Sequence, residues 1–431
     1  MDSTTPLPDS EIYLARPETQ AEYAERVSLL PSQLALPFPE EMERADGAVD
    51  KVARIMQRLS FVKVDRVHVG GSYGRGTTVR GHVDAELTVF VNRLNPAADT
   101  DVGMQELLQS PWTLERTARF VEWQLGVPVT RRQDAQQLQL TLDGVELAVA
   151  LAQNACRAGE AAAGVDRVAR QAEALVAPLL RLPDAAAVAA AGVAPGRTRD
   201  RALVEALTGL IWNVPPPVNY AIRLFIAWVT CGLAARGLLS SSTLPTVALE
   251  LIVLHAFHAE CSEPSHDLDR LPPGRSLLLR TFLRALDTAS RLDEPGGGPV
   301  VMLDAGALGY RREEGERFRA CWGTEGPFVI HPIDPTCNVA RSSGGAHVAW
   351  DWAGLAREAG ALLAVLRRES LAALLGASTL GAALESLALT ERPRPGPWVP
   401  PSVDEMQELQ ESMWDAWRVA REGDEDVCMD D

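Results

Sequence analysis

Residues 69–91 read VGGSYGRGTTVRGHVDAELTVFV, and the interpretation of this stretch governs the rest of the chain. A glycine-rich turn holding Gly71, Ser72, Gly74 and Thr77 follows Val62, Val64, Val67 and Val69, which lead into it as a strand. A second strand reads from Val83 to Val91 and carries Asp84 and Glu86, two residues apart and therefore on one face. Such a turn offers backbone N–H groups and the Ser72 hydroxyl to a phosphate chain. Paired carboxylates on the next strand offer ligands to Mg²⁺, which can activate a hydroxyl and neutralise a leaving pyrophosphate. No Gly-Lys-Ser/Thr follows the glycines, so the loop is not of the Walker type. Spacing alone is equally compatible with a plain glycine turn before a strand bearing two solvated acids.

Working outward, EEMERADGAVDKVARIMQRL (40–59) places Val49, Val52, Ile55, Met56 and Leu59 at helical spacing behind an acidic first turn, which predicts a long amphipathic helix. Leu138 to Thr141 and Val145 to Leu151 read as a hairpin turning at Asp143-Gly144. Helices and a mixed sheet make this part α+β. Beyond residue 160 the pattern turns helical, with helices expected at 160–181, 200–212, 216–236, 244–260, 274–290 and 351–375. DAAAVAAAGVAPG (184–196) and DEPGGGP (293–299) read as connectors. The Pro-rich run ERPRPGPWVPP (391–401) isolates a last amphipathic helix, 403–421, in which Met406, Leu409, Met413 and Trp417 share a face suited to docking on the body or on a protein partner.

A chain of 431 residues exceeds one usual core, and 46% hydrophobic with 23% charged residues is ordinary for a folded protein. The organisation expected is an N-terminal extension (1–38), a sheet-containing lobe (39–160), a helical lobe (161–380) and a linker with an acidic tail (391–431). Six scattered cysteines without a CxxC pair argue for a reducing compartment. With no basic-plus-apolar leader and no membrane-length apolar run, the expected location is cytoplasmic, with no membrane partner. The net charge of −17 speaks against a strongly basic nucleic-acid surface. Residues 403–431 account for −9 of it, with eleven acids against two arginines, leaving the body mildly acidic.

The stretch GGSYGRGTTVRGHVDAELTVF resembles the active-site signature of the 2′-5′-oligoadenylate synthetases, in the wider superfamily that includes cyclic GMP-AMP synthase. AIRLFIAWV (221–229), LPTVALELIVLHAF (244–257), VIHPIDPTCNVA (329–340) and WDWAGLAREA (350–359) follow in family order, so the resemblance covers roughly residues 40 to 365. It implies a polymerase-beta-like nucleotidyltransferase lobe packed on a C-terminal helical lobe. It further implies an ATP cleft between them, Mg²⁺ at the acid pair, and activation by double-stranded RNA. Gly71, Ser72, Gly74 and Thr77 become the nucleotide-binding loop, and Asp84 and Glu86 the catalytic metal ligands.

The chain departs from the family pattern in one cleft. The family's third acid, expected on the strand Val145-Glu146-Leu147-Ala148-Val149, falls on Ala148; Glu146, two residues away, and Asp143 at the turn are the substitutes available. The family's triphosphate-binding Lys falls on Ile226, and its Gln-Tyr pair on Thr246 and Val247, none of which supplies a charge-assisted hydrogen bond. Basic RNA-contact positions fall on Thr208, Trp212 and Pro217. What remains for RNA is a thinned set: Lys51, Arg54 and Arg58, with Lys63 and Arg66 after them, and Arg197, Arg199 and Arg201, equally readable as solvated helix faces. The cluster His255, His258, Cys261 and His266 lacks zinc-ligand spacing and reads as helix-end surface. The expectation is a degenerate site that binds nucleotide, RNA or a partner without efficient synthesis. An active enzyme making 2′-5′-linked oligoadenylates or a related messenger from ATP is the alternative.

Overall fold

The computed structural model describes residues 35–92, 107–108, 110–132, 136–156, 166–190, 197–234, 239, 244–262, 273–294, 298–304, 309–324, 326–343, 346–347 and 350–368. The extension 1–34, His266, the linker 391–401 and the tail helix 403–421 lie outside the described residues.

Helix α1 (Pro39–Met56) begins with Pro at its first position and Glu40 and Glu41 in its first turn, a favourable match to the helix dipole. The Glu41 carboxylate accepts the N–H of Phe38 at 2.8 Å and that of Gly81 at 3.0 Å, joining the helix start to the loop before β2. Strand β1 (Lys63–Gly70) runs into the glycine turn and β2 (Asp84–Asn92) returns antiparallel to it. Helix α2 (Pro111–Leu125) is closed at both ends, by Ser110 Oγ accepting Trp112 N–H and by Gly126 at φ +69°. Strands β3 (Val129–Arg132), β4 (Gln137–Leu142) and β5 (Val145–Gln153) complete a mixed sheet in the order β1-β2-β5-β4-β3, with β2 and β5 parallel. The hairpin turns at Asp143 and Gly144, both at positive φ, as expected. Helix α2 and strand β3 were not expected from the sequence.

Period-two alternation splits this sheet into two chemically different faces. Ala85, Leu87, Val89 and Val91 of β2 and Leu147 and Val149 of β5 form one core with Val49, Val52 and Met56 of α1 and Leu114, Ala118 and Val121 of α2. The other face carries Asp84, Glu86, Thr88 and Phe90 on β2 beside Glu146, Ala148, Ala150 and Ala152 on β5. Its inner end is sealed where Phe90 and Ala152 meet Ala202 and Val204.

The remaining described chain is mainly helical: α3 (Arg167–Leu180), α4 (Arg197–Ala202), α5 (Val204–Trp212), α6 (Pro216–Ala227), α7 (Thr246–Ser262), α8 (Pro273–Ser290) and α9 (Trp352–Arg368). The helix expected at 200–212 is broken at Leu203, and the one expected to reach 236 passes into a π turn at Trp228–Leu233, where Thr230 Oγ1 donates to Ile226 O at 2.9 Å. Part of the expected connector 184–196 is instead a short helix, Ala185–Ala190, because alanine favours helix. Helices α6, α7, α8 and α9 share one apolar core that includes Phe225, Ile226, Leu251, Phe282, Leu286 and Leu355. No helix among the described residues is long and apolar enough to cross a membrane.

The helical core is fastened to the glycine turn by a buried ion pair. Arg75 Nε donates to Glu250 of α7 at 2.7 Å, with side chains 2% and 0% exposed, and the Thr77 hydroxyl donates to the other oxygen of the same carboxylate. Removing one member of a buried pair leaves the other charged and uncompensated. Glu250→Ala is therefore expected to lower unfolding stability by about 3–5 kcal/mol, while Arg75→Met combined with Glu250→Leu recovers most of the loss. Urea titration checks this, and a wild-type midpoint for Glu250→Ala would contradict it.

Candidate active site

The glycine turn is a single helical turn, Gly71–Gly74, wedged against the start of β2. Gly71 sits at φ +70°, and a side chain there would press on the backbone of Asp84 and Glu86, so only glycine permits this approach. A Cβ on Gly74 would run into the Val69 carbonyl. Ser72 is buried and its hydroxyl donates to Asp84 O at 3.2 Å; Thr77 is fully buried with its hydroxyl on Glu250. Both hydroxyl hydrogens are thus committed within the protein, and they brace the turn against β2 and α7. Arg223 of α6 braces the far side, donating to Gly76 O at 2.6 Å through Nη2 and to Thr78 O at 3.2 Å through Nη1. Burial without a facing carboxylate pulls its pKa down to about 10.

The acid pair lies at the start of the interior strand β2, next to this turn. Asp84 is exposed and Glu86 partly buried, on the same face. Gly70 of β1 pairs with Glu86 on one side and Ala148 of β5 on the other, while Asp84 pairs with Glu146. The sequence register therefore matches the strand register: a methyl stands beside Glu86, and the exposed Glu146 stands beside Asp84. Asp143 is engaged elsewhere, 2.6 Å from Lys51 of α1. Burial pushes the Glu86 carboxyl up, a push opposed first by the Arg201 charge and increased by Asp84. Gln137 Nε2 also donates to Glu86 Oε1 at 3.3 Å.

A two-metal centre needs carboxylates that bridge two ions about 3.5–4 Å apart. Among the described residues no group of three or more His, Cys, Asp and Glu side chains is arranged to hold a metal ion. With Ala148 at the neighbouring position and Glu86 Oε1 already accepting from Gln137, the donor set does not fit that centre. Ile226, at the expected phosphate-binding position, is 2% exposed and belongs to the apolar helical core. Thr246 is buried as well, and Val247 packs against the same core.

The expected basic surface divides in two. Lys51 and Arg54 are exposed on α1 and Arg58 in the turn just after it, with Lys51 on Asp143 and Arg54 on Asp50 at 3.3 Å. Arg199 and Arg201 are not on an open face, which corrects the surface reading. Arg199 donates to Asp334 at 3.0 Å and to Thr336 at 3.0 Å; Arg201 is 8% exposed and donates to Gln136 O at 3.0 Å. Arg66 likewise turns inward to a forked pair with Glu205 at 2.7 and 2.6 Å. Thr208 lies 3.1 Å from His68, and Trp212 covers Gly76. The DPTCN segment that Arg199 grips is a buried latch. Asp334 accepts from Thr336 N at 2.9 Å, while the Asn338 amide donates to Pro327 O and Trp322 O. His255 is only partly exposed and sits 3.2 Å from Met302 O.

Arg75, Glu250 and Arg223 were missed as site residues in the sequence. A lone acid at Glu250 inside the apolar run LPTVALELIV was a usable signal, since a buried carboxylate implies a partner.

No protein-family model matches the chain. It is similar to mouse 2′-5′-oligoadenylate synthase 3, 25% identical over 334 residues, covering 76% of this chain and 26% of that protein. The chain thus spans about a quarter of the length of this curated relative. Solved structures similar to it include a cytoplasmic RNA terminal U-transferase (14% identity, 86% of this chain and 99% of that chain, TM-score 0.44). CdnC of E. coli MS115-1 in complex with HORMA-deltaN (13%, 85% and 96%, TM-score 0.46) and Cid1 with its short product ApU (12%, 86% and 98%, TM-score 0.47) are two more.

Beneath the acid pair, burial lowers the pKa of His68 from 6.5 to about 4, only partly offset by Glu205. A folded value below the unfolded one means that this stability is present above pH 6.5 and lost as pH falls toward 4. The predicted loss is about 3 kcal/mol across that window. His68→Gln, which can keep a hydrogen bond to Thr208, should lose correspondingly less when unfolding is measured at both pH values. Equal losses in the two proteins would contradict the assignment.

Proposed function

We propose that this oligoadenylate synthetase-like nucleotidyltransferase uses its cleft for binding, in nucleic-acid-sensing or antiviral-type signalling, without efficient synthesis. The observation that carries the reading is the residue beside Glu86. Ala148 occupies that place, so the carboxylate set that would hold two ions stops at Asp84 and Glu86. Ile226 supports the same reading from the donor side, since an aliphatic side chain in an apolar core offers phosphate no charge-assisted bond. The glycine turn persists as the nucleotide-facing element, with ATP and a weakened Mg²⁺ site as its ligands. Double-stranded RNA is left with Lys51, Arg54 and Arg58 on and just after α1, so its contribution is small and salt-sensitive. A protein partner reaches the chain through the tail helix 403–421.

A second reading, an active transferase making 2′-5′-linked oligoadenylates or a related messenger, is favoured by one observation. Glu146 is in register with Asp84 on the same sheet face and is exposed. Incubation with radiolabelled ATP, mixed nucleotides and Mg²⁺, with and without double-stranded RNA, followed by ion-exchange chromatography, separates the two. No oligonucleotide or cyclic product from folded protein is expected. Product that disappears in Asp84→Ala would overturn the binding-only reading and make Glu146 the substitute ligand.

A further inference from the structure

We propose that the outer face of helix α2 is a binding platform for single-stranded nucleic acid, on the opposite side of the sheet from the acid pair. The inference goes beyond the reading of the cleft and does not rest on it. Leu114, Ala118 and Val121 of α2 turn inward to the core they share with Ala85, Leu87 and Val89 of β2. Asp84 and Glu86 leave β2 on its other face. Outward on α2, at i, i+4, i+7 and i+11, stand Trp112, Arg116, Arg119 and Trp123, a single stripe roughly 16 Å long. Trp112 is 52% exposed and Trp123 77%, whereas an indole ordinarily buries most of its surface.

Each indole is braced by a second ring. Phe61, shortly before β1, meets Trp112 edge-on with centroids 6.1 Å apart, and Phe120 meets Trp123 at 6.4 Å. Arg116 lies 5.0 Å from the ring centroids of both Phe61 and Trp112, a cation–π placement. The charges around the stripe leave a positive surplus. Glu115 is taken by Arg119 at 2.6 Å and by Arg131 at 2.7 Å, Arg131 also holds Glu122 at 3.1 Å, and Asp65 is taken by Arg66 at 2.7 Å. Among the described residues no carboxylate pairs with Arg116, nor with the exposed Arg58 and Lys63 that flank Phe61 in the chain. Exposed rings and cations without carboxylates match unpaired bases on an anionic backbone. The indoles stand at the two ends of the stripe with arginines between them, a spacing that follows a strand better than it makes the continuous apolar centre of a protein contact.

Fluorescence anisotropy of a fluorescein-labelled oligouridine of about 16 nucleotides, titrated with the purified full chain, tests the proposal. The wild type is expected to bind it, and Trp112→Ala and Trp123→Ala each to weaken binding about tenfold. Trp123→Phe, which keeps a ring, should retain most of the affinity. Arg116→Gln should reduce the slope of log affinity against log salt by about 0.7. The same strand annealed to its complement should bind at least about tenfold more weakly, because its bases are stacked within the duplex. No binding by the wild type, or equal affinity in wild type and Trp123→Ala, overturns the proposal, and so does equal binding of the duplex. Displacement of the strand by polyglutamate of matching charge assigns the surface to an acidic protein segment and overturns it as well. Should Trp112→Ala not fold, Trp123→Ala, at a largely solvated position, decides.

Discussion

The Arg75 guanidinium and the Glu250 carboxylate are both almost wholly removed from solvent, and neither could remain there charged without the other. Their pairing constrains everything around them. Arg75 leaves the glycine turn that ends β1, Glu250 sits about one turn into α7, and Thr77 takes the second carboxylate oxygen. The turn is therefore fixed to the helical core at the same point where Gly71 packs on the start of β2. Arg223 from α6 repeats the fastening on the following loop. A turn held by two helices and a strand places Asp84 and Glu86 at the start of β2 with little freedom.

The start of β2 carries an acid pair beside a glycine turn, without the charge distribution of a metal-based centre. A metal-based centre gathers carboxylates and lets bound ions supply the positive charge. Here the neighbouring strand presents a methyl at Ala148, and positive charge comes from the chain itself. Arg75 is balanced by Glu250, and Arg201 donates to the backbone oxygen of Gln136. The expected phosphate-binding position has been absorbed into the apolar core at Ile226. The two observations point the same way: a methyl stands beside Glu86, and an aliphatic side chain buried in the helical core stands at 226.

Much of this was readable from local pattern. The periodicity of α1, the run from β1 through the glycine turn to β2, and the Asp143-Gly144 hairpin depend on contacts near in sequence, whereas the pairing of Ala148 with Glu86 is a fact of the parallel β2–β5 register. Helix α2 was overlooked although its signals were present, Ser110-Pro111 at its start and Gly126 at its end, because its apolar stripe is broken by Arg and Glu. Arg199 and Arg201 read as a solvated run because their partners are distant: Asp334 and Thr336 lie some 135 residues on, and Gln136 lies 65 back. The acceptors of the Ser72 and Thr77 hydroxyls were likewise not legible, since they are decided by tertiary packing rather than by the motif.

The central claim is that the cleft binds nucleotide without assembling a two-metal centre. Anomalous diffraction at the manganese edge, from crystals grown with Mn²⁺ and a non-hydrolysable ATP analogue, tests this most directly. The account predicts no pair of anomalous peaks bridging Asp84 and Glu86. Two peaks about 3.5–4 Å apart between those carboxylates would contradict it.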